Sequence, residues 1–171
     1  RHFKFHAPSQ DLFVWLQAHR EEPFFLFLHG FDAHSPHVLP GQYDAKRFDP
    51  TYEGPVLGTE HDLEALLASS LPADDVEQIR GEEGFWKKKF QIWRKQFLTP
   101  DGVRPEDLEH VLAVYDAQLY YLDQGLGRLL RALEDLELME RTLLVVVSDH
   151  GQAFGEHGQY AVHGQQCYDE V

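Results

Sequence analysis

The sequence predicts an α/β protein whose central sheet is largely parallel and flanked by helices. Two continuous apolar runs, at residues 24–29 and 142–148, have the length and composition of strands that are buried on both faces. The long segment between these runs contains apolar residues at helical spacing. A strand, a helical crossover and a second strand, in that order, are typical of α/β architecture.

The first half of the chain alternates helices, a strand and a loop. An amphipathic helix at 11–19 leads through a polar turn into the first predicted strand. Residues 30–58 are rich in Pro, Gly, Asp and His without periodicity, which predicts a long loop of the kind that often carries function. Residues 60–98 are expected to form two helical pieces that are broken near Pro72, the second with aromatic anchors.

The strongest periodic signal lies in the second half of the chain. Apolar residues recur there at alternating spacings of four and three, namely Leu108, Leu112, Tyr115, Leu119, Leu122, Leu126, Leu129, Leu133 and Leu136. This stripe predicts an amphipathic helix, or a pair of helices, packed on the sheet. Pro105 suits the first turn, while Gly125 and Gly127 are expected to mark a bend or a close packing point.

Length and charge limit the classes of function. The 171 residues, 43% of them hydrophobic, suffice for one globular core, and we interpret 1–171 as one domain or a part of one. The formal net charge of −14 disfavours partners with phosphate backbones or anionic lipid surfaces. No apolar run reaches the ~20 residues that a membrane span requires. We therefore expect no nucleic acid partner and no membrane span, and leave localisation and oligomeric state open.

Acidic and imidazole side chains gather directly after each predicted strand. The first group is His29, Asp32, His34 and His37, and the second is Asp149, His150, Glu156, His157 and His163. Because sites in open α/β sheets form at the carboxyl ends of strands, His34, Asp149, His150 and His163 are expected to cluster at one sheet edge. Asp149 and His150 are candidate ligands of a divalent cation. His34 is a candidate general acid or oxyanion contact.

The sequence contains no recognisable motif for a catalytic nucleophile. Ser35 and Ser148 stand beside histidines in sequence, but neither lies in a Gly-x-Ser-x-Gly elbow. The chain also contains no phosphate-binding glycine motif. Its single cysteine, Cys167, excludes an internal disulfide framework and is interpreted as a small, half-buried residue.

Several blocks of the chain resemble the sulfatase family of the alkaline phosphatase superfamily. They are PFFLFLHGFDAHSP at 23–36, FDPTYEG at 48–54, the segment around 115–130, and TLLVVVSDHG at 142–151 continuing into GEHG at 155–158. The blocks occur in family order, and only residues 60–105 or so are unmatched. The Ser-Asp-His-Gly block after an apolar run is fairly specific for the superfamily, and the His-Ser-Pro loop favours sulfatases within it.

The resemblance implies a fold, a reaction and roles for individual residues. In such enzymes a formylglycine, made from the Cys of a Cys-x-Pro-x-Arg motif, attacks sulfur beside a divalent cation. The resemblance would make Asp149 and His150 two metal ligands, with calcium the favoured metal and manganese or magnesium the alternative. His34 would contact the sulfate or protonate the leaving oxygen, and His163 would lie near a position that often holds a sulfate-binding lysine. The implied substrate is a small-molecule or glycan sulfate ester.

Departures from the family pattern shape the expectation for the chain itself. Ala33 replaces a frequent proline, His37 replaces a frequent aromatic residue, and no Cys-x-Pro-x-Arg motif is present. Residues 1–171 are therefore expected to be a partial catalytic domain without its nucleophile-bearing segment, inactive by itself. Two alternatives stay open: a phosphonate or phosphodiester hydrolase of the same superfamily, and a non-catalytic metal-binding fragment.

Overall fold

The computed structural model describes residues 3–40, 43, 45–70 and 83–163. These residues form the α-helices α1 (Gln10–Ala18), α2 (Glu60–Ser70), α3 (Glu83–Arg94) and α4 (Pro105–Asp135). Strands β1 (Ala153–Phe154) and β2 (Tyr160–Val162) pair in an antiparallel hairpin. Short 3₁₀ turns lie at Ala45–Arg47, Met139–Arg141 and Glu156–Gly158. None of the described helices is long and apolar enough to cross a membrane.

The helices confirm the helical segments predicted from the sequence. The hydroxyl of Thr59, just before α2, accepts the backbone N–H of Asp62 at 3.2 Å and donates to the Asp62 carboxylate at 2.6 Å. This cap satisfies one of the backbone donors that a helix start leaves unpaired. The predicted break near Pro72 lies outside the described residues.

Helix α4 is continuous and begins at Pro105, as predicted, but only part of the leucine stripe is buried. Leu129 and Leu133 are core residues, whereas Leu112 and Leu119 are exposed and Val111 takes the buried position. A stripe with a 3.5-residue period drifts by roughly 20° per heptad around a straight helix, so one face cannot bury all of it. The predicted amphipathic helix is therefore present, with Leu108 and Tyr115 packed on a core and Leu112 and Leu119 on the exposed side of α4.

The two apolar runs do not form the predicted buried strands in the described residues. Phe24, Leu26 and Leu28 pack on a core, but Phe25 is 89% exposed, and Val147, in the second run, is 80% exposed. A strand requires a neighbour that pairs its N–H and C=O groups, and no strand is assigned to either run. The prediction that both runs are buried on both faces is thus wrong for the described residues, and the parallel sheet is not confirmed.

The chain divides into two compact units, each with its own core. Unit 1 comprises Arg1–His34 and Leu119–Val147, and unit 2 comprises Ser35–Gln118 and Ser148–Val171. The core of unit 1 is made of leucines from α1, α4 and the turn after it: Leu12, Leu16, Leu129, Leu133 and Leu138. The core of unit 2 is more aromatic and includes Trp93, Phe97, Leu63, Val111 and Phe154.

Candidate functional site

The β1–β2 hairpin brings two predicted site residues together in unit 2. Ala153 pairs with Val162, so the residues just outside the hairpin, including His163, lie next to the stretch that contains His150. The imidazole rings of His150 and His163 stack with centroids 3.8 Å apart and planes 15° apart. Ala153 and Ala161 are fully buried and anchor both strands. The antiparallel pairing thus places two distant histidines side by side.

Asp149 and His150 present a carboxylate and an imidazole in adjacent positions. The His150 Nδ1 atom lies 2.7 Å from the carbonyl oxygen of Gly151. Because a carbonyl only accepts hydrogen bonds, Nδ1 is the donor in this contact, which leaves Nε2 as the ring nitrogen that can bind a cation in the neutral form. That Nε2 atom lies 3.7 Å from Asp149 Oδ1, and the Asp149 side chain is 79% exposed. The pair can therefore offer one nitrogen and one oxygen to a cation.

The fit to a metal ion is partial within the described residues. No group of three or more His, Cys, Asp or Glu side chains there is arranged to hold a metal. Asp149 and His150 as ligands of a divalent cation therefore stay a prediction. Calcium usually takes six to eight oxygen ligands, so these two donors would form only part of its coordination shell.

His163 is held at the hairpin by a second contact. Its Nδ1 atom lies 3.2 Å from the side-chain oxygen of Gln152, the residue that precedes β1. The Gln152 amide nitrogen is buried and has no hydrogen-bond partner among the described residues. The hairpin therefore orients the His163 ring from one side and stacks it on His150 from the other.

His34 belongs to unit 1, whereas Asp149, His150 and His163 belong to unit 2. The clustering of all four at one sheet edge therefore stays a prediction. His34 lies in a tight turn, where its N–H donates to the carbonyl oxygen of Phe31 at 3.1 Å, and its ring lies 5.3 Å from the Phe31 ring. Cys167 lies outside the described residues.

His37 is a core residue of unit 2. It is 1% exposed, its ring meets Trp93 and Tyr115 edge to face, and its Nδ1 lies 2.9 Å from Gln118 Oε1. The imidazole thus occupies an aromatic environment.

Unit 2 contains a buried polar network that was not predicted from the sequence. Asp107, 1% exposed, accepts hydrogen bonds from Tyr52 at 2.5 Å and from two nitrogens of Arg104 at 2.8 and 2.6 Å. Burial, followed by the hydrogen bond to the Asp107 carboxylate, raises the pKa of the Tyr52 phenol above its ordinary value. The network joins the FDPTYEG block to the start of α4.

A second contact joins the same two segments. His110 Nδ1 lies 2.9 Å from Asp49 Oδ2, and the His110 ring stacks on Tyr52 with centroids 3.8 Å apart. Asp107 and His110 are three residues apart and so share one face of α4. That spacing, together with the Asp and Tyr of the FDPTYEG block, is the sequence signal that could have revealed the network.

Comparison with known proteins matches this chain to sulfatases over nearly its whole length. The Sulfatase family model matches residues 7–170. The chain is 46% identical to human iduronate 2-sulfatase over 64 residues, which is 37% of the chain and 12% of that protein. It is 29% identical to a sulfatase of Formosa agariphila over 152 residues, which is 84% of the chain and 25% of that protein.

A shorter match, 33% identical over 55 residues, is to arylsulfatase K of Gallus gallus and covers 32% of the chain and 10% of that protein. The chain thus spans a quarter or less of the length of these relatives. No solved structure matches it. Family membership implies the α/β class that the sequence predicted, although the described residues contain only the antiparallel hairpin as a sheet. From the match over residues 7–170, the chain belongs to the sulfatase family.

Proposed function

We propose that this chain supplies part of the metal and sulfate site of a sulfate-ester hydrolase. The observation that carries the proposal is the stacked pair of His150 and His163 beside the exposed carboxylate of Asp149. In a member of the sulfatase family, that arrangement offers ligands for a cation and, next to them, an imidazole that can donate an N–H to an anion.

Asp149 and His150 would hold the divalent cation. The hydrogen bond from His150 Nδ1 to Gly151 fixes the ring so that Nε2 can bind metal, which is a common way of orienting a ligating histidine. Calcium is the favoured ion, with manganese or magnesium as the alternative. When bound, the cation supplies positive charge that stabilises the developing negative charge on the sulfate oxygens.

The two remaining histidines would act on the sulfate group and the leaving oxygen. His163, held by Gln152 and by stacking, would donate a hydrogen bond from Nε2 to a sulfate oxygen as an imidazolium, the form in which both ring nitrogens carry a proton. His34 would contact the sulfate or protonate the leaving oxygen as a general acid, a role that the N–H of an imidazole ring can fill. The substrate class is a small-molecule or glycan sulfate ester, as the names iduronate 2-sulfatase and arylsulfatase K of two relatives suggest.

The 171 residues by themselves are expected to have no turnover. General acid or base help from a histidine contributes ~10²- to 10⁴-fold, which is far less than enzymatic rate enhancements require. The nucleophile would come from a formylglycine on a segment that this sequence does not include. A chain extended upstream to the length of the sulfatase relatives, called the extended protein below, is therefore the form in which activity is tested.

The proposal is tested with an aryl sulfate as substrate and Asp149→Asn as the variant. The substitution keeps the size of the side chain but removes the charge that would bind the cation. We expect kcat/KM of the extended protein to fall by roughly 10²-fold or more, since metal charge contributes several kcal/mol. Asp101→Asn, at an exposed turn in unit 2, is the matched control and should leave turnover unchanged. Equal activity of the two variants would contradict the metal assignment.

A further inference from the structure

The loop that carries His34 is fastened by a buried carboxylate. The Asp32 side chain is 3% exposed and accepts three hydrogen bonds from one short segment. The donors are the backbone N–H of Phe5 at 3.0 Å, the backbone N–H of His6 at 2.8 Å and the His6 ring nitrogen Nδ1 at 2.5 Å. A buried charge requires such partners, because an unpaired carboxylate away from water is strongly unfavourable.

The segment that supplies these donors is itself fixed within unit 1. The N–H of Phe3 donates to the carbonyl oxygen of His29 at 2.9 Å, and Phe3 forms a parallel bridge with Gly30. Arg128, on α4, donates to the carbonyl oxygen of His6 at 2.6 Å. The segment 3–6 therefore connects the loop at 29–32 to helix α4.

The position of His34 depends on where Asp32 is held. His34 follows Asp32 by two residues, and its own N–H closes a turn on the carbonyl oxygen of Phe31. Asp32 accepts its three hydrogen bonds within this turn. The Asp32 anchor therefore holds the backbone from which the His34 side chain extends.

From this geometry we propose that Asp32 and His6 are positioning residues for His34. The inference rests on the proposed function, in which His34 acts on the sulfate ester. Asp32 and His6 do not touch the substrate in this account. They hold the loop so that the imidazole of His34 is presented in one orientation, which reduces the reorganisation that catalysis would otherwise require.

The first test measures the loop directly in the full 171-residue chain by amide hydrogen exchange. His6→Ala removes only the side-chain bond to Asp32, whereas His6→Asn places an amide N–H close to the position of Nδ1. We expect exchange at the His34 amide to become roughly tenfold faster in His6→Ala and to return near the original rate in His6→Asn. Asp135→Asn, an exposed change at the end of α4, is the control and should leave that amide unaffected. Unchanged exchange in His6→Ala would overturn the proposal.

The second test uses the extended protein and two sulfate esters with good and poor leaving groups. Loss of positioning should lower kcat for the poor leaving group by about tenfold and affect the good one much less, because only the former depends on protonation by His34. A merely structural role would lower both equally. In a His34→Ala background, His6→Ala should have no further effect.

The outcomes separate this inference from the function on which it rests. If His34→Ala lowers turnover but His6→Ala adds a second, independent loss, the positioning role is wrong and the proposed function stands. If His34→Ala leaves turnover of both esters unchanged, the proposed role of His34 is wrong and the positioning role falls with it.

Discussion

Replacing Gly125 by alanine should detach the segment 3–6 from helix α4. A Cβ atom at position 125 would lie 1.6 Å from the carbonyl oxygen of Phe5 and 2.5 Å from its carbonyl carbon. Both contacts are far inside van der Waals distance and involve backbone atoms, so the segment has to move. This close approach confirms one of the two roles predicted for Gly125, that of a packing point.

The expected loss of stability follows from the bonds that would be displaced. The Asp32 carboxylate accepts two hydrogen bonds from the backbone N–H groups of Phe5 and His6. A hydrogen bond to a charged group contributes roughly 1.5–3 kcal/mol. Alanine is better than glycine in a helix by about 1 kcal/mol, which offsets part of the loss. With partial relaxation of the segment, we expect a net destabilisation of roughly 2–5 kcal/mol.

Gly127 provides a matched control two residues away on the same helix. A Cβ atom there would meet only the end of the flexible Arg131 side chain, at 3.5 Å. Gly127→Ala should therefore stabilise the chain by about 1 kcal/mol. The assay is urea unfolding of each variant followed by circular dichroism at 222 nm, with the midpoint and slope compared. Stabilisation by both substitutions would refute the close packing of Phe5 on α4.

Three further predictions concern buried polar groups. Burial raises the pKa of Asp32, but the hydrogen bonds from His6 and Phe5 together outweigh burial and lower that pKa below 3.8. The stability that this carboxylate contributes should therefore be present above about pH 4 and lost as the pH falls further. In urea unfolding from pH 2 to 6, the midpoint of Asp32→Asn should fall less with acid than the midpoint of the unsubstituted chain. Asp107→Asn should destabilise the chain by roughly 2–4 kcal/mol in the same urea assay, because it weakens the hydrogen bonds from Tyr52 and Arg104. The control, Asp101→Asn, should change stability by less than about 0.5 kcal/mol. Burial and the hydrogen bond to Asp107 raise the pKa of Tyr52, so the stability that the protonated phenol contributes should be present below about pH 10 and lost at higher pH. From pH 9 to 11, the urea midpoint of Tyr52→Phe should fall less than the midpoint of the unsubstituted chain.

Local signals in the sequence predicted the helices well. The start of α4 at Pro105 and the packing role of Gly125 follow from backbone chemistry that a few neighbouring residues determine. The runs at 24–29 and 142–148 were predicted as strands, but the same local reasoning does not suffice there, because a strand depends on partners that are distant in sequence. Their apolar composition is real, but within the described residues it is largely exposed.

The candidate site shows the same division between local and long-range information. Asp149 and His150 are adjacent in sequence, so their proximity could be predicted from the motif. The stacking of His163 on His150 depends on the β1–β2 hairpin, which the analysis did not predict. The bond between His6 and Asp32 joins residues 26 positions apart, and no periodicity in the sequence encodes that pairing.

The central claim is that these residues belong to a hydrolase of sulfate esters. The most direct measurement compares kcat/KM of the extended protein for an aryl sulfate and for a phosphodiester with the same leaving group, each with calcium and after chelation. We expect the sulfate ester to be preferred and its turnover to be lost on chelation. Preference for the phosphodiester, or sulfate turnover that persists without a divalent metal, would contradict the account.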